Sequence, residues 1–286
     1  MNQFAITTDT GADLSQNYCQ AHEIAVINLP VTMNGVTYEA GQLENKDFYA
    51  QLRAGAMPTT SAANMEDTCD LFRAVLSKGQ DLLHIAFSSG LSSTASTALL
   101  AASQLRQEFP DRKLVVIDSL CASLGQGLLV HQAVKRRAQG MDVETVGQQI
   151  EAMKLNIVHD FTVDDLNHLH RGGRVSKATA VVGSLINIKP ILHVDDEGHL
   201  VAVGKARGRK ASIQSLLQRM EQQIRGFDNQ EVFISHGDCI EDAEYLAGLV
   251  RDKFGIDDIT IDYIGPTIGT HSGPGTLALF FLGSPR

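Results

Sequence analysis

Apolar positions in the first half of the chain recur as one unit: a short apolar run, a polar or glycine-rich turn, then a segment of helical period. "QFAITT" passes through "DTGADL" into a helix near residues 13–21. "DLLHIAFSS" passes through "GLSST" into "ASTALLAASQLRQEF". "KLVVIDS" leads into "ASLGQGLLVHQAVKRRAQG", where Gly140 marks a helix stop. Strands that alternate with helices predict βαβ units and a mostly parallel sheet covered on both faces. "IAVINLPVTMNGVTYEA" breaks the rhythm, and its Asn34-Gly35 pair predicts a β-hairpin.

After "MDVETVGQQIEAMKLNI" the texture changes. The stretch from "DFTVDDLNHLHRGG" through "KATAVVGSLINI" reads as two helices. "IKPILHV" and "HLVAVGKA" follow as an antiparallel pair joined by the acidic "DDEG" turn. A long helix at about 207–225, the strand "EVFISH", another helix and two further strands complete the pattern. The predicted fold is α/β with two domains. An N-terminal α/β/α layer with a mostly parallel sheet spans residues 1–156, and a C-terminal α+β domain with a mixed sheet spans 157–286.

Composition narrows the function. The 286 residues are 43% hydrophobic and 20% charged, enough to bury a substantial core. A net charge of −9 with no cluster of Lys and Arg argues against nucleic acid, whose phosphates demand such a cluster. Cys19, Cys69, Cys121 and Cys239 are far apart and form neither a zinc spacing nor a disulfide framework. The sequence "MNQFAITTDTGADL" has no basic stretch followed by an apolar one, and no run approaches a membrane span. A cytoplasmic protein with no integral membrane segment is the expectation.

Four polar turns are candidates for chemistry. "MPTTSAAN" places Thr59, Thr60 and Ser61 ahead of a helix that begins near Asn64. "SSGLSST" places five hydroxyls where a strand meets a helix. "HRGGR" joins Arg171 to Arg174 through two glycines, and "GPTIGTHSGPG" is a stiff glycine- and proline-rich loop around His271. Hydroxyls at a helix start serve either as caps or as donors to an anion, and both readings stand here. His168, His170 and Asp164 make a poor metal site, because histidines two apart point to different sides of a helix. No P-loop or dinucleotide fingerprint is present. Gly90-Leu91-Ser92-Ser93-Thr94 approaches a nucleophile elbow but lacks its final glycine. Ser92 and His271 with Asp9 or Asp118 therefore form an alternative, a serine hydrolase acting on acyl esters.

These motifs, read together, resemble the DegV family of bacterial fatty-acid-binding proteins. The likeness runs through "TTDTGADL", "PTTSAAN", "SSGLSST", "VIDS", "DFTVDDLNHLHRGGRVSKATAVVGSLINIKPIL", "KARGRK", "SHGD" and "GPTIGTHSGPG". It implies a lipid-binding carrier and not an enzyme: one long-chain fatty acid lies between two domains, with no cofactor and no metal. By motif, the carboxylate falls to Thr60, Ser61, Ser92, Ser93, Thr94, Thr270 and His271. The resemblance also implies a partner, a separate fatty acid kinase that makes acyl phosphate for phospholipid synthesis, with Arg171, Arg174 and Arg207 in positions to face it. Ile186, Ile188, Leu277 and Phe280 are the candidates for the tunnel that takes the tail. Two turns depart from the family pattern: "TSAAN" stands where T-S-Q-P-S is frequent, and "LSST" where L-S-G-T is frequent.

Overall fold

The computed structural model describes residues 4–176, 187–227, 229 and 231–284. The first half contains β1 (Phe4–Asp9), α1 (Gln16–Ala21), β2 (Ile24–Ile27), β3 (Val31–Met33), β4 (Val36–Tyr38), α2 (Asn45–Arg53), β5 (Thr59–Thr60) and α3 (Met65–Leu76). It continues with β6 (Asp81–Ala86), α4 (Thr94–Glu108), β7 (Leu114–Asp118), α5 (Leu124–Ala138) and α6 (Val143–Met153). The second half contains β8 (Ile157–Thr162), α7 (Asn167–Arg171), β9 (Ile188–Val194), β10 (Leu200–Arg207), α8 (Arg209–Gln223), β11 (Glu231–His236), α9 (Ile240–Phe254), β12 (Asp258–Tyr263), α10 (Pro266–Ser272) and β13 (Leu277–Leu282).

The βαβ units close a parallel sheet in the order β2-β1-β6-β7. The second half forms a mixed sheet in the order β10-β9-β8-β13-β11-β12, in which only β11 and β12 run parallel. The fold is thus α/β with one parallel and one mixed sheet. A small third sheet, β4-β3-β5, contains the hairpin at Asn34-Gly35 and brings Thr60 opposite Val31. Capping follows the sequence signals: Asn64 accepts from the amides of Glu66 and Asp67, and Asp142 from those of Glu144 and Thr145.

Packing forms layers. α3 and α4 cover one face of the parallel sheet through Phe72, Leu82, Ala98 and Leu105. α5 lies on its other face, where Leu128 and Leu129 join Ile6 and Leu83 to Phe161 and Phe280 of the mixed sheet. α8 and α9 cover the far side of the mixed sheet through Leu216, Leu246, Leu277 and Phe281. One helix therefore serves both sheets, and the cleft beside its N-terminus is bounded by both.

Two elements differ from the sequence reading. The stretch read as opening with a helix begins instead as the fully buried strand β8, which sits between β9 and β13. His159 and Asp160 disguise it, but Asp160 is held inside by Arg219 of α8 at 2.6 Å. Burial still pushes its carboxyl up to about 6 against that guanidinium. The loop around His271 is in fact the short helix α10, with Pro266 in its first turn and a left-handed Gly273 after its end. The segment "KATAVVGSLI" of the second expected helix, including Ile186, lies outside the described residues.

Candidate functional site

A cavity of about 180 Å³ opens between the two sheets. Its polar wall gathers Thr60 and Ser61 at the end of β5, Ser92 and Ser93 after β6, and His271 and Ser272 from α10. These residues are far apart in sequence and come from three sheets' surroundings: the small sheet, the carboxyl end of a parallel strand, and the helix after β12 of the mixed sheet. The remaining wall is largely apolar, with Phe87, Phe161, Leu169, Val194, Ile268 and Phe280 among it.

At the centre of the polar wall, Thr60 Oγ1 lies 2.7 Å from His271 Nε2. Burial pushes the imidazole down to about 4, and the nearby positive Arg174 acts in the same direction. His271 is thus neutral at pH 7 and carries one N–H. Its Nδ1 has no hydrogen-bond partner among the described residues, and neither has the buried hydroxyl of Ser272. Nδ1 packs against Gly172 so closely that a Cβ there would meet it at 2.2 Å. A bare nitrogen fits that contact better than an N–H. The proton therefore belongs on Nε2, where it donates to Thr60 and frees the threonine hydroxyl proton for an acceptor in the cavity.

The other hydroxyls divide between cavity and framework. Ser92 lines the cavity, and its Oγ accepts from the Thr94 amide at 3.2 Å while sitting 2.9 Å from Thr94 Oγ1. Thr94 is fully buried off the cavity and accepts from the Ala63 amide, so it ties the two hydroxyl turns together. Thr270 spends its hydroxyl on the Pro266 carbonyl one turn back in α10, and it does not line the cavity. Ser61 and Ser93 line the mouth and are exposed. Ser123, Thr267, Ser272 and Thr276 also reach the wall. The sequence reading missed them because only their contact with distant elements distinguishes them from ordinary polar turn residues.

Arginine placement is mixed. Arg171 and Arg207 are exposed, and Arg171 donates to His168 Nδ1 at 2.9 Å. Arg174 turns inward, lines the cavity, and donates from Nε and Nη2 to the Leu91 carbonyl at 3.2 and 3.0 Å. It joins the "HRGGR" turn to the "SSGLSST" turn across the cleft. Of the tunnel candidates, Phe280 lines the cavity, whereas Leu277 faces the opposite side of β13 in the α8–α9 core. The strand alternation decides this, since Ala278 and Phe280 share the cavity face. Ile188, half-buried at the start of β9, is not in the wall.

A serine-hydrolase triad gains no support from this geometry. Ser92 is bonded to Thr94 and His271 to Thr60, while Asp9 is engaged by the Gly11 and Phe87 amides. Among the described residues no group of three or more His, Cys, Asp or Glu side chains could hold a metal, and no helix is long and apolar enough to cross a membrane.

A family model for DegV, described as an uncharacterised protein family, matches residues 3–284. This chain belongs to the DegV family. A DegV domain-containing protein of Clostridium perfringens is 41% identical, with 100% of this chain and 99% of the relative covered. Another from Lactococcus lactis is 39% identical over 97% of this chain and 96% of that protein. Among solved structures, a fatty-acid-binding DegV family protein from Thermus thermophilus superposes with a TM-score of 0.88 at 29% identity, covering 98% of this chain and 99% of that one. DegV from Bacillus subtilis, also a fatty-acid-binding protein, gives 0.84 at 30% identity, covering 99% and 100%.

Proposed function

We propose that this DegV protein binds one long-chain fatty acid in the cavity between its sheets and is a carrier, not a catalyst. The observation that carries the reading is the pairing of Thr60 with a neutral His271 at the polar end of an otherwise apolar cavity. A carboxylate out of water needs several converging donors. Thr60, Ser61, Ser92 and Ser93 supply them, with His271 orienting the Thr60 hydroxyl and Thr94 and Thr270 holding the turns in place. The half-buried guanidinium of Arg174 adds positive charge to the same wall. Each methylene of the tail buried along Phe161, Leu169 and Phe280 contributes about 0.8 kcal/mol. The fatty-acid-binding relatives from Thermus thermophilus and Bacillus subtilis support the ligand class.

The two functional units are residues 1–156 and 157–286, with the ligand between them. The bound acid is presented to a separate fatty acid kinase in the cytoplasm, for acyl phosphate and phospholipid synthesis. Arg171 and Arg207, exposed near the HRGGR and KARGRK turns, are the residues offered to that kinase. Denaturing the purified protein and identifying the released lipid by mass spectrometry tests the binding. One stoichiometric fatty acid is expected, and a protein that neither carries nor takes up fatty acid refutes it.

A further inference from the structure

We propose that Asp13 is a positioning residue for His271, setting the helix that carries the imidazole against the fatty-acid head group. This rests on the fatty-acid reading above. Asp13 follows the first parallel strand in a left-handed conformation, with φ 51° and ψ 26°, a region in which Asp is tolerated better than most residues. That backbone aims its carboxyl group across the cleft. Oδ1 accepts from the Gly265 amide at 3.0 Å, and Gly265 is the residue on which α10 begins. Oδ2 accepts from Ser123 Oγ at 2.6 Å, and Ser123 is 2.9 Å from Ser235 Oγ on β11.

One carboxyl thus fastens three elements: the start of α10, the start of α5 and a strand of the mixed sheet. α10 is only seven residues long and has no side-chain cap on its own N-terminal residue. Asp13 instead anchors the amide of the residue that leads into the helix, from 252 residues away in sequence. The approach is so close that a Cβ on Gly265 would lie 2.8 Å from Asp13 Oδ1. His271 sits in the last turn of this helix. A shift at Gly265 therefore moves the ring relative to Thr60, which belongs to a different sheet.

The test titrates a long-chain fatty acid and its methyl ester onto the wild type, Asp13→Ala, Asp13→Asn and Gly265→Ala. Asp13→Ala and Gly265→Ala should each lose about tenfold in affinity for the acid and much less for the ester, because the ester places no charge on the Thr60 hydroxyl that His271 orients. Asp13→Asn, which still accepts from Gly265, should recover most of the loss. Equal losses for acid and ester, or no loss for the acid, overturn the proposal. Hydrogen exchange of the segment 266–272 gives a readout that needs no ligand. It should be slow in the wild type and Asp13→Asn, and fast in Asp13→Ala. If the wild type bound no fatty acid, the proposed function would fail while exchange still decided the positioning of α10.

Discussion

Thr60 and His271 stand 211 residues apart in the chain, yet their side chains meet at 2.7 Å. Thr60 comes from the small sheet at β5 and His271 from α10, and the contact joins the first half of the chain to the second. Because the imidazole is neutral, the pair is a neutral hydrogen bond that an anion can join without first breaking an ion pair.

Removal of the hydroxyls measures the head-group site. Thr60→Val and Ser92→Ala should each weaken fatty-acid binding by about 1.5–3 kcal/mol, the range for a hydrogen bond to a charged group. Titration calorimetry with a saturated acid reads this. Ser92→Ala should also lower stability by about 1 kcal/mol, because Ser92 Oγ accepts from the first amide of α4. Unchanged affinity in both variants would leave the hydroxyls as caps only.

Gly172 makes the imidazole testable from behind. Its φ of −71° suits alanine, so the only obstacle to Gly172→Ala is the 2.2 Å contact with His271 Nδ1. The methyl should push the ring off Thr60 and lower fatty-acid affinity about as much as His271→Ala does. The double variant should then bind no worse than either single one, since both act through one group. Additive losses would separate Gly172 from the head-group site.

This contact also shows what the sequence could and could not convey. "HRGGR" was legible as a turn because Gly and Arg have local signatures, but the space Gly172 leaves for His271 exists only once α7 and α10 meet. The parallel sheet was legible because β1, β6 and β7 each carry an apolar run and are each followed by a helix, whereas β2 leads into the small sheet. β8 was not, because Asp160 finds Arg219, and His159 the Ala122 amide, far along the chain. The hydroxyl turns could be found by composition, whereas Thr94 and Thr270 differ from Ser92 only in the direction the local backbone turns them. Leu277 was misassigned to the tunnel for want of strand parity, which the neighbouring strands fix.

Asp13 gives stability a distinctive pH dependence. Burial, reinforced by the negative Asp262 and Asp9, pushes its carboxyl up to about 8, against the hydrogen bonds from Ser123 and Gly265. An unfolded Asp titrates near 4, so the folded state holds the extra proton between about pH 4 and 8, and stability falls as pH rises through that window. Asp9 and Asp160, both raised to about 6, act in the same direction but only below pH 6. His84 and His271, lowered to about 3 and 4, act oppositely, as do the lowered His22, His168 and His236, and their contribution is nearly complete only by about pH 7.5. Between about pH 7.5 and 8 Asp13 dominates. Denaturant melts should show stability falling there by at most about 1.4 kcal/mol per pH unit. Asp13→Asn should be flat over the same range; a flat wild type would mean an ionised Asp13 at neutral pH.

The exposed arginines carry the partner half of the proposal. Arg171→Ala and Arg207→Ala should keep their bound lipid, because neither side chain lines the cavity. Both should lose phosphorylation of that lipid when the cognate fatty acid kinase is supplied with ATP, since a guanidinium is suited to acidic side chains or phosphate. Normal phosphorylation of either variant would remove that arginine from the contact. Arg174→Ala should behave differently and weaken lipid binding itself, because Arg174 bridges to the Leu91 carbonyl and lines the wall.

His271→Ala separates charge recognition from loop shape. The neutral imidazole donates through Nε2 toward Thr60, and the pair presents the Thr60 hydroxyl proton to an acceptor in the cavity. Truncation should cost the fatty acid about 1.5–3 kcal/mol, whereas the matching fatty alcohol and methyl ester should lose about 1 kcal/mol or less, the figure for a neutral hydrogen bond. His271→Asn keeps a donor but cannot hold it at the same reach, so it should fall between the wild type and alanine. The comparison should be made above pH 6, where the wild-type ring is neutral and the acid ionised. Equal losses for all three ligands would make His271 a shaping residue of α10, with the head group recognised by the hydroxyls alone.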